Sequence, residues 1–162
     1  MKKLKQEKKK HHKKILAILI GPPGSGKSYY CQHTLYNYFR ISQDNFGKGH
    51  YRKFLEILLS GMDLIVIDRM NFSIQQRLQY VLPAQKFGYK IMYYFFVAPE
   101  SICLKRMKER KNHPTIKNND HETQKKVLKF FQDKYEEPGD LENFDMTEIK
   151  TGEENDQRNQ KT

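Results

Sequence analysis

Apolar and polar positions follow two rhythms along this chain. Ile15 to Ile20 is an unbroken apolar run closed by Gly21-Pro22-Pro23-Gly24, which predicts a strand buried on both faces and ended by a sharp loop. Leu64 to Asp68 and Ile91 to Ala98 are two further runs of the same kind, and residues 40 to 44 and 144 to 149 predict shorter strands. Between them the period lengthens. Ser28 to Tyr38 reads as a helix, followed after the strand at 40 to 44 by a loop from Phe46 to His50. Tyr51, Phe54, Leu55, Leu58 and Leu59 fall on one helical face that ends at Gly61. Ser73 with Gln76 predicts a capping box, opening a helix that carries Ile74, Leu78 and Leu82 and stops near Pro83. Ser101 to Arg110 and the stripe Val127, Phe130, Phe131 and Tyr135 predict two more helices, separated by a polar stretch, 111 to 121, that contains Pro114.

Strands alternating with helices predict an α/β fold, a parallel β-sheet with helices on both faces. Ligands of such sheets bind beyond the carboxyl ends of the strands. Three segments rich in chemistry fall there: Gly21 to Ser28, Asp44 and Asp68.

Composition sharpens the picture at the two ends. The chain has 162 residues and a formal charge of +11, and residues 1–14 hold eight lysines against one glutamate. They predict a basic disordered tail, residues 15–150 a single domain, and residues 151–162 a second disordered tail. The excess of positive charge favours a polyanionic partner. Cys31 and Cys103 are too few for a disulfide scaffold and imply a reduced intracellular setting, cytoplasmic or nuclear. No apolar stretch approaches the roughly 20 residues that span a bilayer, so no membrane partner is expected.

The chemistry begins with Gly21-Pro22-Pro23-Gly24-Ser25-Gly26-Lys27-Ser28, a match to G-x-x-x-x-G-K-[ST] between a strand and a helix. In such a loop the glycines at 21, 24 and 26 let successive N–H groups, that of Ser25 included, converge on phosphate oxygens at a helix N-terminus. Lys27 then reaches the outer phosphates, and Ser28 offers a hydroxyl to Mg²⁺. A P-loop NTPase fold follows, with ATP as the expected nucleotide. Asp68 ends its strand as a Walker-B carboxylate would. No Asn-Lys-x-Asp guanine signature is present, and the length favours a small phosphotransferase over a motor.

Such an enzyme must activate an acceptor hydroxyl and neutralise the moving phosphoryl group. Asp44, seventeen residues after Lys27, is the expected base, against the plainer reading of Asp44-Asn45 as a turn. Arg106 and Arg110, four apart on one helix, suit a helical lid over phosphates, against a solvated basic face.

The set GPPGSGKS, SQDN, LIVIDRMNFSIQQR and VAPESICLKRMKER resembles the polynucleotide 5'-hydroxyl kinase group of P-loop phosphotransferases, which includes the phage enzyme and kinase domains of RNA-repair ligases. The resemblance spans residues 15–135, and its most particular element is Asp68-Arg69-x-Asn71 with Arg77 six residues on. It implies ATP or another NTP with Mg²⁺ as donor, a nucleic-acid 5'-OH end as acceptor, Asp44 as base, and Arg106 or Arg110 on the donor phosphates. It also places Asp68, Asn71 and Arg77 on the substrate. The phage-type pattern has an arginine three residues after the base to grip the acceptor's phosphate; Gly47 stands there, so Lys48, Arg52 or Arg77 has to substitute. Asn112-His113 resembles the guanine-selecting loop of fungal tRNA ligase kinases, which makes GTP the alternative donor. Two rivals remain open: a kinase for small molecules or nucleotides, and a non-catalytic nucleotide-dependent RNA-binding module.

Overall fold

The computed structural model describes residues 13–110 and 116–152. Five strands, β1 (Ile15–Ile20), β2 (Phe39–Ser42), β3 (Leu64–Asp68), β4 (Lys90–Val97) and β5 (Phe144–Lys150), form one parallel sheet in the order β2-β3-β1-β4-β5. β1 lies at the centre, and Leu16 to Ile20 are all fully buried, which is why that run has no polar positions. Six helices complete the described part: α1 (Lys27–His33), α2 (Gln43–Phe46), α3 (His50–Leu59), α4 (Ile74–Lys86), α5 (Glu100–Glu109) and α6 (His121–Lys134).

One sheet face carries Leu16, Ile18 and Ile20, packed on Phe54 and Leu58 of α3, Tyr80, Val81 and Ala84 of α4, and Phe131 of α6. The other carries Ala17, Leu19 and Val66 against Cys31 and Leu35. Cys103 and Met107 of α5 meet Leu128 of α6 in a smaller cluster. The fold is therefore the expected α/β arrangement of the P-loop NTPase type, with helices on both faces. Because β1 is flanked by β3 on one side and β4 on the other, the chain leaving β1 enters a switch point of the sheet, the usual ligand crevice.

Several boundaries move. α1 stops at His33 rather than continuing to Tyr38, and Leu35 turns inward beneath it. β2 ends at Ser42, whose hydroxyl accepts from Asn45 N and caps α2, so Asp44 stands in the first turn of a helix and not in a strand. A 3-10 turn at Gly47–Gly49 then runs directly into α3. On α3 the buried face is Phe54, Ile57 and Leu58, while Leu59 is 69% exposed. Ser73 caps α4 through Gln76 N as expected, but the Gln76 side chain reaches Phe72 N instead of closing a box, and α4 passes through Pro83 to bury Ala84.

Lys14 O accepts from Lys90 N, and Thr151 N donates to Val97 O, so the hydrogen bonding around the sheet reaches one residue past 15 and 150. Residues 1–12 and 153–162 lie outside the described residues, as do 111–115 with Asn112-His113. Among the described residues no helix is long and apolar enough to cross a membrane.

Candidate functional site

The loop after β1 is held from three sides. Gly21 N donates to Met70 O beyond β3, the buried Ser25 hydroxyl donates to Pro22 O (2.7 Å), and Thr151 Oγ1 donates to Ser25 O (3.0 Å). Gly24 and Gly26 adopt left-handed φ of +78° and +100°, which admit glycine at little strain. At Gly24 there is also no room. A Cβ would lie 2.5 Å from the Cys103 carbonyl oxygen and 2.9 Å from its Cα, because α5 is pressed against the loop. Gly24→Ala is expected to lower stability by about 1 to 3 kcal/mol and to weaken nucleotide binding. Urea unfolding and a fluorescent-nucleotide titration check this, with Gly49→Ala, where a Cβ meets nothing within 4 Å, as the unchanged control.

Lys27 opens α1 and turns its ammonium into the loop, donating to the carbonyls of Gly21 (2.7 Å) and Pro22 (2.6 Å). Burial lowers its pKa to about 8, and the Asp68 carboxylate opposes that shift. Ser28 Oγ donates to Asp68 Oδ2 at 3.1 Å, joining the first turn of α1 to the end of β3. The same carboxylate oxygen accepts from Arg40 Nε (2.8 Å) and Nη2 (2.5 Å). Arg40 on β2 was not legible as a site residue. It lies 28 positions from Asp68 and becomes its neighbour only through the parallel pairing of β2 with β3.

A cleft of about 390 Å³ opens over these groups, and Lys27, Ser28, Asp44, Asp68, Arg69 and Arg110 all line it. Asp44 enters exposed from α2. Arg110, at the end of α5, is half-buried: burial lowers its pKa, while the Asp44 and Asp68 carboxylates favour its charged form. The two lid arginines part company. Arg106 turns to the back of the loop, where Nη1 donates to Gly24 O (3.2 Å) and Thr151 Oγ1 (3.1 Å), bracing the loop instead of facing the cleft.

The residues of Asp68-Arg69-x-Asn71 and Arg77 divide as well. Asn71 is 1% exposed with φ +48°, and its Nδ2 donates to Leu19 O (2.7 Å), tying the loop after β3 to the end of β1. Its Oδ1 is buried with no hydrogen-bond partner among the described residues, leaving an acceptor at the cleft wall. Arg77 corrects an expectation: it is fully buried, pairs with Glu142 (Nε to Oε1, 2.7 Å) and donates to Asn71 O (3.0 Å) and Glu136 O (2.9 Å). A guanidinium so enclosed cannot touch a substrate. Arg52 stands exposed on α3 and does not line this cleft. Tyr51 packs on Phe54 and Tyr80 in the core. Burial pushes the Cys31 thiol up to about 12 and raises that of Cys103, so neither is a nucleophile.

The site missed in the sequence is Arg69. Its Nη1 donates to the Tyr80 hydroxyl (3.0 Å) and its Nη2 to Gln43 Oε1 (3.2 Å), beside Asp44. The Tyr80 hydroxyl also meets His50 Nδ1 at 3.0 Å.

With this geometry in place, the sequence matches the family described as AAA domain over residues 47–138, more than half of the chain. The chain belongs to that family. The matched span begins after the phosphate loop and takes in α3, β3, α4, β4, α5 and α6. The chain is also 29% identical over 114 residues to "Transcription factor bHLH140" of Arabidopsis thaliana, a match that covers 62% of this chain but only 12% of that protein. Among solved structures, a putative kinase from Chloroflexus aurantiacus superposes with a TM-score of 0.64 at 18% identity, covering 88% of this chain and 90% of that one. Kti12 of Chaetomium thermophilum, solved in complex with ADP-AlF3, superposes with a TM-score of 0.54 at 16% identity, covering 90% and 94%. The shared feature is the fold, a parallel α/β sheet of the P-loop NTPase type.

Proposed function

We propose that this AAA domain is a phosphotransferase that moves the terminal phosphoryl group of ATP, or alternatively GTP, to the 5'-hydroxyl of a polynucleotide. The observation that carries this reading is the meeting of Lys27, Ser28, Asp44, Asp68 and Arg110 in one cleft at the switch point of the sheet. Loop amides and the Lys27 ammonium suit the outer phosphates. The Ser28 hydroxyl beside the Asp68 carboxylate is a hard oxygen pair of the kind that would hold Mg²⁺, directly or through water, and the ion would supply neutralisation of the donor's phosphate charge. Asp44 accepts the acceptor's proton as its oxygen bonds to phosphorus, the bond to the bridging oxygen breaks, and Arg110 stabilises the charge on the transferred group. A polynucleotide acceptor is supported by the formal charge of +11 and by the motif resemblance. The cleft volume of about 390 Å³ also suits a small alcohol, the second reading.

Incubation with γ-labelled ATP or GTP, Mg²⁺, 5'-OH oligonucleotides and a panel of sugars and nucleosides tests it. Label on the oligonucleotide is expected. Label confined to small alcohols favours the second reading, and nucleotide binding without any transfer favours the non-catalytic module.

Lys27 supplies a pH test. Its folded pKa of about 8 lies below the ordinary 10.5, so between those values the unfolded chain binds the extra proton, and stability of the nucleotide-free protein rises with pH across that window. A triphosphate beside Lys27 favours its charged form. Nucleotide binding at about pH 9 should therefore take up protons, and at about pH 7 Lys27 should contribute little. Calorimetry in buffers of different ionisation heat measures the uptake; no buffer dependence at the higher pH would contradict the role given to Lys27.

A further inference from the structure

We propose that Thr151 is a positioning residue for nucleotide binding: its hydroxyl holds the Ser25 carbonyl behind the phosphate loop and thereby points the Gly26 N–H at the triphosphate. The proposal rests on the nucleotide-binding part of the reading above and is independent of the acceptor.

A trans peptide is planar and its C=O and N–H point in opposite directions, so fixing one fixes the other. Two successive carbonyls of the loop are held by side chains that do not line the cleft. Gly24 O accepts from Arg106 Nη1 (3.2 Å), and Ser25 O accepts from Thr151 Oγ1 (3.0 Å). On the peptide that Arg106 holds, the Ser25 N–H turns back to Pro22 O at 3.3 Å. On the peptide that Thr151 holds, the Gly26 N–H has no hydrogen-bond partner among the described residues, and it stands next to the unpaired amides that open α1. Gly26, at φ +100°, is also the loop position where a released peptide turns most freely. An amide whose carbonyl is tied from behind is aimed before the ligand arrives, so less entropy is lost when a phosphate oxygen accepts from it.

Thr151 is itself fixed for this role. Arg106 Nη1 approaches the same hydroxyl oxygen at 3.1 Å, and because a guanidinium only donates, the hydroxyl hydrogen is left for Ser25 O. The main chain is anchored as well: Thr151 N donates to Val97 O (2.9 Å), directly after the pairing of Val97 with Lys150 that ends β4 and β5. The Thr151 methyl and Arg106 Nη1 each lie 3.6 Å from where a Gly26 Cβ would stand, so the two side chains close the back of the loop at that residue. Thr151 lies 126 positions from Ser25, and the parallel pairing of β5 with β4 brings the two together.

Calorimetry of ATP with Mg²⁺, and of pyrophosphate with Mg²⁺, tests this in the full chain and in three variants. Thr151→Val keeps the methyl and removes the hydroxyl, and it is expected to weaken both ligands by about 10-fold, the scale of one lost hydrogen bond. Thr151→Ser restores the hydroxyl and should recover most of the affinity. Thr147→Val, the same change at an exposed position of β5, should bind as the unaltered chain does. Unchanged affinity in Thr151→Val overturns the assignment, as does a serine variant as weak as the valine one. A loss for ATP without a loss for pyrophosphate also overturns it, because the hydroxyl would then serve the nucleoside and not the phosphates. A second readout reports direction and not stability: the residual dipolar coupling of the Gly26 N–H in the nucleotide-free chain should change in Thr151→Val and return in Thr151→Ser. If the unaltered chain binds neither ligand, the nucleotide reading fails and that coupling decides Thr151 by itself. A changed coupling supports the clamp, and an unchanged one overturns it.

Discussion

Asp44→Asn is expected to slow phosphoryl transfer by about 10² to 10⁴-fold, the usual contribution of a positioned base, with little change in nucleotide affinity. Asparagine is nearly isosteric and remains compatible with the first turn of α2, whose cap is the Ser42 hydroxyl accepting from Asn45 N. The loss should therefore fall on kcat and not on folding. Single-turnover transfer combined with a nucleotide titration separates the two. A rate within tenfold of the unaltered chain would remove Asp44 from the chemistry and leave its carboxylate as an electrostatic neighbour of Arg110. Because Asp44 and Arg110 share one cleft with Lys27, a charge change at Asp44 can also alter the position of Arg110. A nucleotide affinity that moved in step with kcat would point to that effect instead.

Arg77→Met is expected to destabilise the fold by about 3 to 5 kcal/mol, because it strands a buried carboxylate. Glu142 is fully enclosed; it accepts from Arg77 Nε at 2.7 Å, from the Tyr93 hydroxyl at 2.5 Å and from Gly139 N at 2.6 Å. With Arg77 gone, only the phenol and the amide remain to compensate a full negative charge. Adding Glu142→Gln should recover much of the loss, since a neutral amide can still accept from Tyr93 and Gly139. Urea unfolding of the two single variants and the double variant measures the coupling directly. Additive losses would mean that the pair is not the brace described here. The effect also reaches the site: Arg77 Nη1 holds the Asn71 carbonyl, and Asn71 Nδ2 holds the end of β1 from which the phosphate loop departs.

Arg77 also marks where sequence reasoning met its limit. An arginine six residues after Asn71 reads as a surface cation reaching for a substrate, and the apolar stripe Ile74, Leu78 and Leu82 reads as the buried face of α4. The helix is instead rotated so that Arg77, Tyr80, Val81 and Ala84 face the core and Leu82 is 47% exposed. Hydrophobic periodicity assumes that charge faces water, and here the charge is cancelled inside by Glu142, 65 positions away. Arg106 shows the same limit in milder form. Its spacing to Arg110 places both on one helix, but Thr151, 45 positions on, draws Arg106 behind the loop.

What the sequence by itself determined was local. The unbroken apolar run of β1, the glycine-lysine-serine loop after it, the carboxylate ending β3 and the alternation of strands with helices are all written in contiguous residues, because backbone conformation and strand burial depend on near neighbours. Only the tertiary structure decided which charges meet: Arg40 with Asp68, Arg77 with Glu142, Arg106 with the phosphate loop, and Arg69 with neutral partners beside Asp44. Electrostatic and hydrogen-bond energies depend on distance in space and on exclusion of water. Strand order and helix rotation set both, and neither can be read from spacing along the chain.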